Sequence, residues 1–78
     1  MNNYLEELEF GDCFIYNGNT YILTTDSKKN LDALCIDLNS GFSRWLSPET
    51  LVNKIAIFYT DSESNIIAIK ETKKNVDY

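Results

Sequence analysis

From residue 12 onward, apolar side chains recur with the period of two that marks strands rather than the 3.6 of a helix. Residues 12–16 (DCFIY) and 19–25 (NTYILTT) flank Asn17 and Gly18, a dipeptide suited to a two-residue hairpin turn because both positions need positive φ. Such a turn pairs Tyr16 with Asn19 and Phe14 with Tyr21. It sets Phe14, Tyr16, Tyr21 and Leu23 on one face and Cys13, Ile15, Thr20 and Ile22 on the other. Neither face is polar. After a polar loop at 26–31, residues 33–38 (ALCIDL) alternate, with Leu34, Ile36 and Leu38 opposite Ala33, Cys35 and Asp37. Asn39-Ser40-Gly41 closes a second hairpin into residues 42–46 (FSRWL). Residues 47–50 (SPET) read as a turn or short 3₁₀ piece, since Pro48 cannot donate to a ladder. Residues 51–59 (LVNKIAIFY) and 65–70 (NIIAIK) are rich in β-branched and aromatic side chains and are joined by a polar turn around Asp61 to Ser64. Ahead of the first strand, Asn3 and Glu6 have capping-box spacing, and Leu5 and Leu8 would share one face of a short turn or helix.

Five short strands joined mostly by tight turns predict an all-β meander. Burying both apolar faces in so short a chain points to a small, bent, antiparallel barrel of five to six strands. An SH3-like barrel is the first choice, with an OB-like barrel or an open curled sheet as the second. Residues 1–70 form the expected single domain and 71–78 a polar C-terminal tail that frays.

The chain has 78 residues, 44% apolar, which suits one small core and no more. No run reaches the roughly 18 apolar residues that a membrane helix needs. The first ten residues lack the basic-then-apolar order of a signal peptide, and two cysteines then read as reduced thiols, so a cytoplasmic protein is expected.

Charge narrows the partners. The net charge is −5, with Glu6, Glu7, Glu9 and Asp12 acidic at the start and residues 13–59 balanced at four acids and four bases. A duplex-binding protein carries a basic stripe, and the one basic cluster here, Lys70, Lys73 and Lys74, is interrupted by Glu71. Direct nucleic-acid binding is therefore not expected. Glu6, Glu7 and Glu9 are secondary candidates for meeting a basic partner surface, against the plainer reading of a solvated face.

Catalytic chemistry has little to draw on. There is no histidine, the commonest general base and metal ligand. Cys13 and Cys35 lie 22 positions apart with no CxxC spacing, and as small hydrophobes on strands they read as packing residues. Asp61-Ser62-Glu63 lacks the glycine and closing glutamate of a calcium loop. Gly11, Gly18 and Gly41 all sit at turns, so no phosphate-cradling loop is present. The expectation is a protein that is not an enzyme and holds no cofactor or metal.

A surface argument remains. In FSRWL an unbroken strand sends Phe42 and Trp45 to opposite faces. Trp45 inward with Phe42 and Arg44 outward avoids burying a guanidinium and is the preferred arrangement. Apolar residues on both sides of 55–59 and 66–69 leave surface that another chain would cover. The expected contact residues are Phe42, Arg44 and Tyr59, with Trp45 as core or as central anchor if the strand bulges.

The segment Leu8-Glu9-Phe10-Gly11-Asp12-Cys13-Phe14-Ile15-Tyr16-Asn17-Gly18-Asn19-Thr20-Tyr21, followed by Cys35-Ile36-Asp37-Leu38-Asn39-Ser40-Gly41 and Thr50-Leu51-Val52, resembles small proteins of bacteriophages and mobile elements. The likeness covers roughly residues 8–58 and rests on structural motifs: a turn glycine, an Asn-Gly hairpin and core alternation. It implies an SH3-like barrel from an accessory gene, of the kind that supplies inhibitors or adaptors binding a host factor, including components of antiviral defence. The leading expectation is thus a non-catalytic interaction protein acting on a host protein or on itself as a homo-oligomer. One rival is an oligomeric binder of a nucleotide signal, in which aromatic faces stack on bases and Arg44 with Lys28 or Lys29 meets phosphate. The other is a self-assembling structural subunit.

Overall fold

A computed structural model describes residues 2–70. The tail at 71–78, with Lys73 and Lys74, lies outside the described residues. The strands are β1 (Asn2–Tyr4), β2 (Cys13–Tyr16), β3 (Asn19–Ser27), β4 (Ala33–Asp37), β5 (Ser43–Leu46), β6 (Leu51–Ile55), β7 (Phe58–Thr60) and β8 (Ile66–Ala68). Six form one antiparallel sheet in the order β1-β6-β2-β3-β4-β5, and β7 pairs with β8 in a separate hairpin. The fold is all-β, as the alternation predicts.

The first hairpin is built as its sequence dictates. Asn17 and Gly18 have φ of 51° and 80°, the two positive values of a type I′ turn. The register follows: Tyr16 opposes Asn19 and Phe14 opposes Tyr21. Phe14, Tyr21 and Leu23 are buried with Leu5, Leu8, Cys35, Leu46 and Val52 in one core, with Tyr16 and Ala33 packed against it. Phe14 and Tyr21 stack across the pair with centroids 5.6 Å apart. In β4, therefore, Ala33 and Cys35 face the core, whereas Leu34 and Ile36 lie on the opposite face.

The sheet is not closed into a barrel, and the open curled sheet is the form adopted. It is nevertheless strongly curled. Strands β5 and β6 are separated by β2, β3 and β4, about 19 Å in a flat sheet at ~4.8 Å per spacing. The connector 47–50 spans at most about 17 Å fully extended, and it contains a turn in which Thr50 N–H donates to Ser47. Only a curled sheet lets it reach. The N-terminal segment is bonded to this connector: Leu5 N–H donates to Thr50 C=O at 2.8 Å and Glu6 N–H to Pro48 C=O at 3.0 Å.

Three further expectations are corrected. The segment 51–59 is two strands, not one, because the chain breaks at Ala56 and Ile57 before β7 turns back on β8. The N-terminal turn is a single 3₁₀ turn, Leu5–Glu7, whose box is shifted by one residue: Glu7, not Glu6, accepts from Tyr4 N–H at 2.9 Å. Leu5 and Leu8, expected to share one face, are both buried. Finally, Trp45 is not inward. It pairs with Leu34 on the outer face and is 40% exposed, whereas Leu46 is buried and Arg44 lies opposite Cys35 on the core side. The edge position of β5 makes this affordable, since Arg44 runs along the rim and keeps its guanidinium in water.

Candidate functional site

Two regions carry the chemistry. The first is a cleft of about 380 Å³ where the β7–β8 hairpin meets β2 and β6, with Ile57, Ala68 and Ile69 on its apolar wall. Asp12 closes its polar side. The carboxylate is 6% exposed and accepts from Lys70 Nζ at 2.7 Å and from Glu9 N–H at 2.8 Å, with Lys54 Nζ at 3.6 Å. Lys70 also reaches Glu9 at 3.0 Å. Burial pushes the Asp12 carboxyl up, but the Lys70 hydrogen bond, the Glu9 N–H and the two ammonium charges outweigh it, so the pKa lies below the usual range. Lys70 is raised, first by its hydrogen bond to Asp12. Both changes favour the ion pair, and neither group is poised for proton transfer near neutrality. The arrangement fastens the hairpin to the sheet, helped by Ile69 N–H donating to Ile57 C=O at 2.8 Å.

The thiols are similarly inert. Burial raises Cys13, with the Asp12 charge adding to it, and burial pushes Cys35 up to about 11. Both cysteines are free and buried. Among the described residues no cluster of metal-ligating side chains forms, and no helix is long and apolar enough to cross a membrane.

The second region is the β5 edge. Phe42 is 77% exposed just before the strand, and Trp45 lies on the outer face with Lys28 Nζ 4.8 Å from its ring. On the core side Arg44 stands over Tyr16, 5.5 Å from the ring centroid, and donates to Tyr21 Oη at 3.4 Å. Phe42, Arg44 and Trp45 are thus brought to one sheet edge, although on different faces. Tyr59 is not with them. It stands half exposed on the β7–β8 hairpin beside exposed Phe58 and Ile66. Of the secondary candidates, Glu6 is exposed, Glu7 caps Tyr4, and Glu9 is paired with Lys70.

Sequence reasoning missed the Asp12–Lys70 pair. The one available signal was Asp12 immediately after a turn glycine, ahead of an apolar strand. No family model matches the chain, and no curated protein and no solved structure matches it.

Proposed function

We propose that the protein is a non-catalytic interaction module that binds another protein through the β5 edge. The observation that carries this reading is the exposure of Phe42 and Trp45 beside Arg44 on a strand that ends the sheet. Aromatic and arginine side chains contribute most where interfaces are tight, and large apolar groups held in water on a strand edge gain most from being covered. In keeping with the resemblance to small phage and mobile-element proteins, the partner would be a host protein whose action is modulated or inhibited.

The test is the double variant Phe42→Ala/Arg44→Ala, compared with the native chain in quantitative capture from host lysate. Phe42 lies outside the buried core and Arg44→Ala removes a 3.4 Å bond to Tyr21 Oη, so the variant should stay folded with a modestly lowered melting temperature. Loss of a captured protein at least tenfold supports the reading. Equal capture by the folded variant removes this patch.

A further inference from the structure

The two edges of the six-stranded sheet are finished differently. At the β1 edge, Leu5 N–H donates to Thr50 C=O, so antiparallel alternation turns the backbone of Asn2 and Tyr4 outward. The outward Tyr4 N–H is already taken by the Glu7 carboxylate at 2.9 Å. At the β5 edge, Asp37 N–H donates to Phe42 C=O at 2.8 Å, and the same alternation points Arg44 and Leu46 at β4 and Ser43 and Trp45 away from it. Among the described residues those outward groups meet nothing, and Ser43, Arg44 and Trp45 are exposed. At the β1 edge one outward N–H is taken by a side chain, whereas among the described residues none along β5 is.

Charge says what fits the open edge. Arg44 sits on one face of β5, and Lys28 lies over Trp45 on the other. Among the described residues every ion pair uses Lys54 or Lys70, so neither Arg44 nor Lys28 has a carboxylate partner. Consecutive residues of an incoming strand fall on opposite faces, and each meets one of these cations.

We infer that β5 accepts an extended segment of the partner protein as a seventh strand, with two adjacent acidic residues placed against Arg44 and Lys28. This rests on the interaction reading above.

The probe is a short β-branched peptide with a Val-Glu-Glu-Val centre, and its Val-Lys-Lys-Val counterpart is the control. The acidic peptide should shift the Ser43 and Trp45 amide resonances, protect both from hydrogen exchange, and bind at least tenfold more tightly than the basic one. Ser43→Pro removes an outward N–H, spares the β4 ladder and should abolish the effect. Should that variant not fold, a backbone N-methylated acidic peptide on the native chain asks the same question, and binding as tight as that of the unmethylated peptide overturns the proposal. Equal binding of both peptides, binding undiminished by Ser43→Pro, or protection at β1 instead also overturns it. So does a dimer of the native chain that Ser43→Pro dissolves, since a second copy would then own the edge. The two readings fail separately: capture lost in Phe42→Ala/Arg44→Ala but kept in Ser43→Pro leaves a binding module without strand addition. Capture kept in both removes the β5 edge as the binding surface, the reading on which this inference rests.

Discussion

Asp12 and Lys70 are 58 positions apart in the chain, and their side chains meet at 2.7 Å. The contact ties the entry of β2 to the end of β8, and a two-stranded hairpin is marginal unless something holds it. The buried carboxylate is the sensitive partner. Asp12→Asn leaves Lys70 with Glu9 alone and replaces an acceptor of the Glu9 N–H, so unfolding should be easier by about 1 to 3 kcal/mol. Lys70→Met keeps Lys54 and the Glu9 N–H on Asp12 and should cost less. Urea denaturation gives the order, and hydrogen exchange at Ile67 should quicken in both variants. An Asp12→Asn chain as stable as the native one would mean that the hairpin is held by its apolar contacts alone.

The same pair sets the pH range of stability. Asp12 has a folded pKa below its unfolded value of about 4, so its contribution is complete above that pH and is lost as pH falls through the depressed value. Lys70 has a raised pKa, so its contribution is complete below about pH 10.4 and is lost as pH rises through the elevated value. Stability should therefore be flat across neutrality and fall at both ends. Asp12→Asn should flatten the acid limb; an unchanged acid limb in that variant would assign acid sensitivity to other carboxylates, with Asp61 next, since Asn65 N–H and Glu63 N–H also hold it down.

Strand β5 offers a direct check on which side faces in. Leu46 is buried in the core and Trp45 is 40% exposed. Leu46→Ala should cost about 2 to 5 kcal/mol, the range for emptying a core leucine site. Trp45→Ala should cost less, despite the larger side chain, because it loses contact with Leu34 and Lys28 on a face still open to water. Chemical denaturation of the two variants decides, and a larger loss for Trp45→Ala would restore the inward tryptophan.

How much of this is legible in the sequence depends on how local the cause is. The Asn17-Gly18 turn fixes its own register, so the pairing of Phe14 with Tyr21 follows from residues a few positions apart. The facing of β5 does not, because alternation allows either choice and the cost of an inward Arg44 disappears at an edge where the side chain reaches water past Tyr16. Nor does the sequence show that the sheet stays open, which depends on contacts between distant segments such as that of Leu5 with Thr50. β1 leaves no pattern at all, since Asn2 to Tyr4 is recruited by the backbone of β6. For the candidate edge, Phe42 and Arg44 could be named from residue type, whereas the unsatisfied backbone of Ser43 requires the sheet order. Residue type alone groups Tyr59 with them, and only the break after β6 shows that it stands on a different element.

The turn that is most legible also gives the cleanest conformational test. Gly18 has φ of +80°, and a Cβ built on it would meet no atom within 4 Å. Substitution there changes backbone preference and nothing else. Gly18→Ala should destabilise by about 1 kcal/mol, the cost of holding an L-residue at positive φ, and Gly18→Asn by less, because asparagine tolerates that region. Gly11 has φ of +89° and a Cβ there would lie 3.6 Å from Lys70 Cδ, an ordinary contact, so Gly11→Ala should show a similar loss from φ alone. If Gly11→Ala instead loses several times more than Gly18→Ala, the added methyl is displacing the Lys70 stem. In that event the Ile67 amide would exchange faster in Gly11→Ala and stay unchanged in Gly18→Ala, linking the turn glycine to the ion pair behind it.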